Sequence, residues 1–303
     1  MLNRLIVEIL QYMPEGLVWI FSKRYIAGKT REDAFTVTRD LNRKGIRASL
    51  DLLGEFNTRM EKIEYYKDEY LKTISDAAYY ELDTSFSIKP TMFGLLLDKE
   101  LCYNNLREII TKAVACKYFV QIDMEDSQCT DMEIDLFNRL YREFPDSVGF
   151  VFQAYMRRTL DDIKSLTSIH QQKDLGNLRL CKGIYVEPKE IAYKGKQEIR
   201  DHFLKDLEFM FQQNIFAAIA THDKKLVEGA YRLIEKYKVP ANKFEFQMLY
   251  GVAPKLRQSV VRKGYTMRVY VPFGKDWFNY CTRRLKENPF MMWDLIKALV
   301  VRN

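Results

Sequence analysis

Apolar residues fall in eight short runs, at 46–53, 85–91, 118–124, 148–155, 178–185, 215–222, 244–249 and 265–271, separated by longer amphipathic stretches. The runs have strand length and strand composition. The stretches at 101–116, 160–169, 199–211, 226–237 and 254–262 repeat apolar residues every three or four positions, the spacing of one helix face. Thr130-Asp-Met-Glu133 has the form of a capping box and leads into Ile134, Phe137, Leu140 and Tyr141. Strands that alternate with helices need crossover connections, which make the sheet parallel, and eight such units close naturally into a barrel. The pattern therefore predicts an α/β chain with a (β/α)8 TIM-type barrel. An open doubly wound sheet is the alternative, but no G-x-G-x-x-G follows any run.

Two helical patterns precede the first strand and end near Lys44-Gly45. The expected organisation is thus an N-terminal helical segment, 1–45, packed on a barrel formed by 46–303. In the first pattern Leu2, Leu5, Ile6, Ile9, Leu10 and Met13 share a face, and 17–21 is continuously apolar, but Glu8 and Glu15 interrupt it. It falls short of the ~18 apolar residues that a span needs, and no small-residue cleavage site follows. A helix docked on the body is expected, with a surface anchor on a membrane as the alternative.

Polar residues recur at the ends of the runs: Asp51 with Glu55, Lys89, Asp123 with Glu125 and Asp126, Gln153 with Tyr155, Lys182 with Tyr185, Thr221-His222-Asp223, Glu245 with Gln247, and Tyr270. Barrel strands should be nearly continuous in apolar residues, so polar groups at all eight ends imply one polar mouth at the C-terminal face. Beyond the last run, a helical pattern carries Arg283 and Arg284, with Glu287 one turn on. Two adjacent guanidiniums near Tyr270 either form a solvated helix face or grip a small carboxylate that bears an apolar ring.

Composition narrows the chemistry. The 303 residues are 47% apolar and 29% charged, with no linker or composition break, as in one ordinary globular unit. The net charge of +7 is spread among interspersed acids, which gives no nucleic-acid footprint and only a weak bias toward an anionic surface. Five cysteines, an odd number without C-x-x-C, argue against a disulfide framework and a zinc site and for a reducing compartment. Three histidines are too few and too scattered for metal-assisted hydrolysis, and no G-x-S-x-G elbow is present. A mouth rich in Arg, Lys, Gln and Thr suits a large anionic cofactor such as a flavin dinucleotide or a phosphate ester.

Nine motifs, in order along the chain, carry a family resemblance: Leu50-Asp-Leu-Leu-Gly-Glu55, Lys89-Pro-Thr91, Asp123-Met-Glu-Asp126, Gln153-Ala-Tyr155, Arg179-Leu-Cys-Lys-Gly-Ile-Tyr185, Ala220-Thr-His222, Glu245-Phe-Gln-Met-Leu-Tyr-Gly251, Arg268-Val-Tyr-Val-Pro272 and Arg283-Arg-Leu-Lys-Glu-Asn288. The chain resembles the proline dehydrogenases, of the monofunctional type, which use FAD to oxidise L-proline to 1-pyrroline-5-carboxylate. The resemblance implies a distorted (β/α)8 barrel whose last helix lies over the mouth. It implies that Arg283 and Arg284 hold the substrate carboxylate, that Glu287 orients them, and that Lys89, fixed by Asp123, adds a third cation. Tyr185, Tyr270 and Leu249 would pack on the pyrrolidine ring. Gln153, Arg179, Lys182, Gly183, Thr221 and His222 would contact FAD, with Gly183 allowing close backbone approach. Ile184 departs from the alanine often found after that glycine, which implies a tighter pocket or a shifted ring contact. By the same resemblance the electron acceptor is a membrane quinone, and the product passes to a separate pyrroline-5-carboxylate (glutamate semialdehyde) dehydrogenase. The expected location is cytoplasmic or peripheral on the inner face of the membrane. Hydroxyproline oxidation is an alternative that Tyr270, covering the ring face, disfavours; a non-catalytic membrane-associated barrel is another.

Overall fold

The structure, a computed structural model, describes residues 19, 22–170, 176–278 and 280. Eight parallel strands close a barrel in sequence order: β1 (Arg47–Leu52), β2 (Thr84–Ile88), β3 (Val120–Ile122), β4 (Val148–Gln153), β5 (Leu178–Cys181), β6 (Ala217–Ala220), β7 (Phe244–Leu249) and β8 (Met267–Phe273), which pairs back onto β1. Each apolar run thus coincides with a strand to within a few residues at its ends. Helix α1 (Arg31–Asn42) packs on β1 and β8. The crossovers are α2 (Met60–Tyr79), α3 (Lys99–Ala115), α4 (Thr130–Glu143), α5 (Thr159–Ile169), α6 (Lys196–Gln212), α7 (Lys224–Tyr237) and α8 (Pro254–Arg262). The first N-terminal pattern and the helix expected over the mouth, with Arg283, Arg284 and Glu287, lie outside the described residues.

The strands alternate rather than running apolar throughout. Leu50, Phe86, Ile122, Phe150, Leu180, Ile219, Phe246 and Val269 are buried under the helices. Burying one such side chain contributes about 1.5–3 kcal/mol, so this layer carries the core. The opposite face fills the lumen with Ser49, Asp51, Ser85, Ser87, Gln121, Arg179, Glu245, Gln247 and Arg268, all buried or nearly so. The lumen is therefore polar almost from floor to mouth.

Three local expectations are corrected. Thr130 and Glu133 form no capping box: Cys129 is the N-cap, Thr130 Oγ1 donates to Asp126 O, and both Glu133 oxygens accept the Glu125 N–H at 3.1 Å. The second run ends as a strand at Ile88, because Pro90 starts a 3-10 turn, Pro90–Phe93. The last run does not stop at Pro272. Strand β7 has ended by that level, so no neighbour needs the missing N–H, and Pro272 O accepts Ala27 N at 2.9 Å.

Glu245 also departs from expectation. It lies at the start of β7, on the barrel floor, where Arg268 grips it at 2.6 and 3.2 Å and Gln247 donates at 2.7 Å. Burial pushes its carboxyl up, but Arg268 outweighs burial and holds it below the usual carboxylate range. The chain turns helical again at Trp277. Trp277 and Tyr280 pack with Ile26 and Leu53, Trp19 stacks edge-on against Trp277, and Tyr66 Oη donates to Asp276 at 2.5 Å.

Candidate active site

The C-terminal ends of the strands surround a cavity of about 260 Å³. Lys89, Asp123, Tyr185, Leu249 and Tyr270 line it, as do Gln153, Arg179, Lys182, Gly183, Thr221 and His222. These are all the predicted site residues that fall within the described part of the chain. The predicted Arg283, Arg284 and Glu287 lie outside it.

On one side the walls are ionic. Lys89, just past β2, places Nζ 2.7 Å from Asp51 Oδ1 and 3.4 Å from Asp123 Oδ2. The partner nearest to Lys89 is thus Asp51 rather than Asp123, since β1 and β2 are adjacent and their ends meet inside the lumen. Asp123 is occupied elsewhere: it accepts Arg179 Nη1 at 2.8 Å and the Tyr270 hydroxyl at 2.8 Å. Tyr270 also accepts from Lys89 at 3.2 Å, so its phenol joins the lysine to the aspartate. Burial, then Asp123 and Asp51, hold the Tyr270 phenol well above its ordinary range, and it stays a proton donor. Burial pulls the Lys89 ammonium down, but Asp51 and Asp123 outweigh it and keep the lysine charged.

Arg179 rises from β5 through the lumen. Its Nη2 donates to Ser87 Oγ at 3.0 Å, and its guanidinium carbon lies 5.3 Å from the Tyr270 ring centre. Its Nε is buried with no hydrogen-bond partner. Lys182, at the rim, is 3.4 Å from Asp223, which Arg200 also holds at 2.8 Å. Burial raises the Asp223 carboxyl, yet these two cations together leave it below its usual range.

The loops between strand ends are tied to one another. Glu125 accepts from Thr91 N at 2.9 Å and Thr91 Oγ1 at 2.6 Å, which clamps the Lys89 turn to the Asp123 loop. Gln153 donates to Glu125 O at 2.7 Å and accepts from Ile184 N at 3.2 Å, so both ends of its amide brace loops at the cavity wall. His222 Nε2 accepts the Leu249 N–H at 2.8 Å, which places its ring proton on Nδ1 and joins the ends of β6 and β7. Gly183, at φ +109°, is required by packing: a Cβ there would lie 2.1 Å from the Tyr155 ring. Ile184 lines the cavity.

Two contributors were missed. Tyr280 lines the cavity, and its spacing of three and four residues before Arg283 and Arg284 was a helix-face signal that could have found it. Asp51 was noted at a strand end without a role. Among the described residues no cluster of His, Cys, Asp and Glu could hold a metal ion, no helix is long and apolar enough to cross a membrane, and Cys102, Cys116, Cys129 and Cys181 form no disulfide.

Comparison with known proteins bears on this arrangement. The family model described as proline dehydrogenase matches residues 34–292. Proline dehydrogenase 1 of Bacillus subtilis subsp. natto is 36% identical over 279 residues, covering 92% of this chain and 90% of that protein. The proline dehydrogenase of Deinococcus radiodurans is 33% identical over 276 residues, covering 90% and 87%. Among solved structures, proline utilization A from Bdellovibrio bacteriovorus superposes with a TM-score of 0.82 at 25% identity, covering 88% of this chain but 32% of that larger one.

Proposed function

The chain belongs to the proline dehydrogenase family, and from that premise we propose that it oxidises L-proline to 1-pyrroline-5-carboxylate with FAD, using a membrane quinone as final acceptor. The observation that carries this reading is the convergence on one cavity of the eleven described residues to which the resemblance assigns substrate or cofactor contacts. FAD, when bound, would supply the hydride acceptor for oxidation at proline C5 and the means of passing the electrons on to quinone.

The donor set fits such a group. The Nε of Arg179, buried without an acceptor, together with Lys182 at the rim, suits the electron-rich edge of a reduced flavin and its phosphates. The substrate's ring would lie among Tyr185, Leu249, Tyr270 and Tyr280, which supply apolar surface. Its carboxylate would meet Lys89 and the Arg283–Arg284 pair. Among the described residues, Asp51 and Asp123 balance Lys89 and Arg179, so the tetrad carries no net charge and the arginine pair supplies the net attraction.

Proline must react as the neutral amine, because an iminium cannot develop beside an existing ammonium. Among the described residues, Asp51 and Asp123 are already engaged by Lys89, Arg179 and Tyr270, so we take solvent as the acceptor of the amine proton. The rate of flavin reduction should therefore rise with pH until the bound amine has lost its proton. The decisive experiment is a visible spectrum of the purified protein before and after L-proline. A flavin band bleached by proline supports the reading; a band that proline leaves unchanged, or a rate flat in pH, refutes it. Contact with a membrane follows from a lipid-soluble quinone, and flotation with liposomes tests it.

A further inference from the structure

Lys89 is almost wholly buried. Facing it are Asp51 from β1, Asp123 from the end of β3, the Tyr270 hydroxyl from β8 and Tyr70 from α2; Glu125, two residues past Asp123, acts on it through space, and Arg179 from β5 reaches it through the shared Asp123. Tyr70 is committed elsewhere, donating to Ser87 O at 2.6 Å and accepting from Leu52 N at 3.2 Å. Asp123 is shared among Arg179, Tyr270 and Lys89, with the lysine its longest contact. Asp51 is different. It is 1% exposed, does not line the cavity, and makes its 2.7 Å bond to Lys89 while its other oxygen has no hydrogen-bond partner.

We propose that Asp51 is a positioning residue: it fixes the Lys89 ammonium at the cavity wall, beside Tyr270 and Asp123, where the substrate carboxylate can use it. This rests on the reading of the site as one for proline. Without Asp51, the lysine keeps the neutral Tyr270 hydroxyl at 3.2 Å and, as its one bonded carboxylate among the described residues, the shared Asp123 at 3.4 Å, and burial then favours its neutral form. A neutral amine offers the carboxylate no charge.

The test uses the holoenzyme and oxolane-2-carboxylate, which has the acid and the five-membered ring of proline but no titrating amine, so any pH dependence of its binding belongs to the protein. Binding is measured by calorimetry at about pH 6.5 and about pH 9.5, a range that spans the downward shift expected of a buried lysine without its counter-ion. The wild-type Kd is the baseline at each pH: Lys89 and the arginines stay charged throughout, while Glu125, whose carboxyl burial pushes up to about 7, titrates inside the range in every variant. Asp51→Asn should bind within about threefold of wild type at the lower pH and about tenfold or more weakly at the higher. Asp51→Glu should restore the wild-type profile. Equal weakening of Asp51→Asn at both pH values overturns the proposal, since a packing defect would act alike at each. Should that variant fail to fold, Lys89→Met/Asp51→Asn leaves neither charge unpaired; it should bind more weakly than wild type by the same factor at both pH values, and a factor that grows with pH there overturns the proposal too. Failure of the wild-type enzyme both to bind the analogue and to be reduced by proline overturns the functional reading along with this inference. Wild-type binding with a parallel Asp51→Asn profile overturns the inference alone.

Discussion

Asp206 lies on α6, the helix that packs against β5 and β6 and so supports the strands of Arg179, Thr221 and His222. It is 1% exposed, and neither carboxylate oxygen has a hydrogen-bond partner. Burial, against a small opposing effect of Lys205, pushes its carboxyl from 3.8 up to about 7. The unfolded chain ionises this group near pH 4, while the folded chain keeps it protonated until about pH 7. Stability is therefore undiminished below the unfolded value, falls as pH rises between the two, and stays low above the folded one. At about 1.4 kcal/mol per pH unit, the loss across that window is roughly 4 kcal/mol. Asp206→Asn removes the ionisation and leaves an amide whose unsatisfied groups cost about 1–3 kcal/mol at every pH. Urea unfolding of both proteins at about pH 4.5 and pH 8 separates the two effects: relative to wild type, the variant should gain roughly 3–4 kcal/mol between the lower and the higher pH. If the stability difference is the same at both pH values, Asp206 is not a buried, unpartnered acid and the reasoning fails.

Gly183→Ala drives a Cβ to 2.1 Å from the Tyr155 ring at a φ of +109°, and should cost about 3 kcal/mol in urea unfolding together with loss of bound flavin; a stable variant with full flavin content would remove the packing argument. Arg284→Lys replaces a planar fork with a point charge and should raise KM for proline about tenfold or more while leaving the flavin spectrum intact, whereas an unchanged KM would remove the carboxylate clamp.

Much of the site was legible because a parallel barrel places the C-terminal ends of all its strands on one side. A residue's place at the end of an apolar run is then enough to assign it to the mouth, as for Lys89, Asp123, Gln153, Thr221 and Tyr270. The same rule misplaced Glu245, which begins β7 rather than ending it. In that run apolar Phe244, Phe246 and Met248 face the helices, so the polar positions between them mark the lumen without marking the level within it. Thr130 and Glu133 matched a local motif, but a buried carboxylate beside the unpaired Glu125 N–H found the better partner through space. Pro272 read as a strand end, because the chain does not announce that its neighbour β7 stops two residues earlier.

By itself the sequence determined what is periodic and local: eight strands from eight apolar runs, the helices between them, a parallel closure, and the set of side chains able to meet at one end. Each follows from spacing along the chain, which backbone geometry converts into a face or an end. Only the tertiary structure decided who touches whom within that set. Lys89 bonds Asp51 more closely than Asp123, Tyr270 bridges Lys89 and Asp123, and Arg179 crosses the lumen to Ser87. Those choices depend on strand register around the closed barrel and on differences of less than 1 Å between buried charges, where low polarity makes distance decide which pairs form.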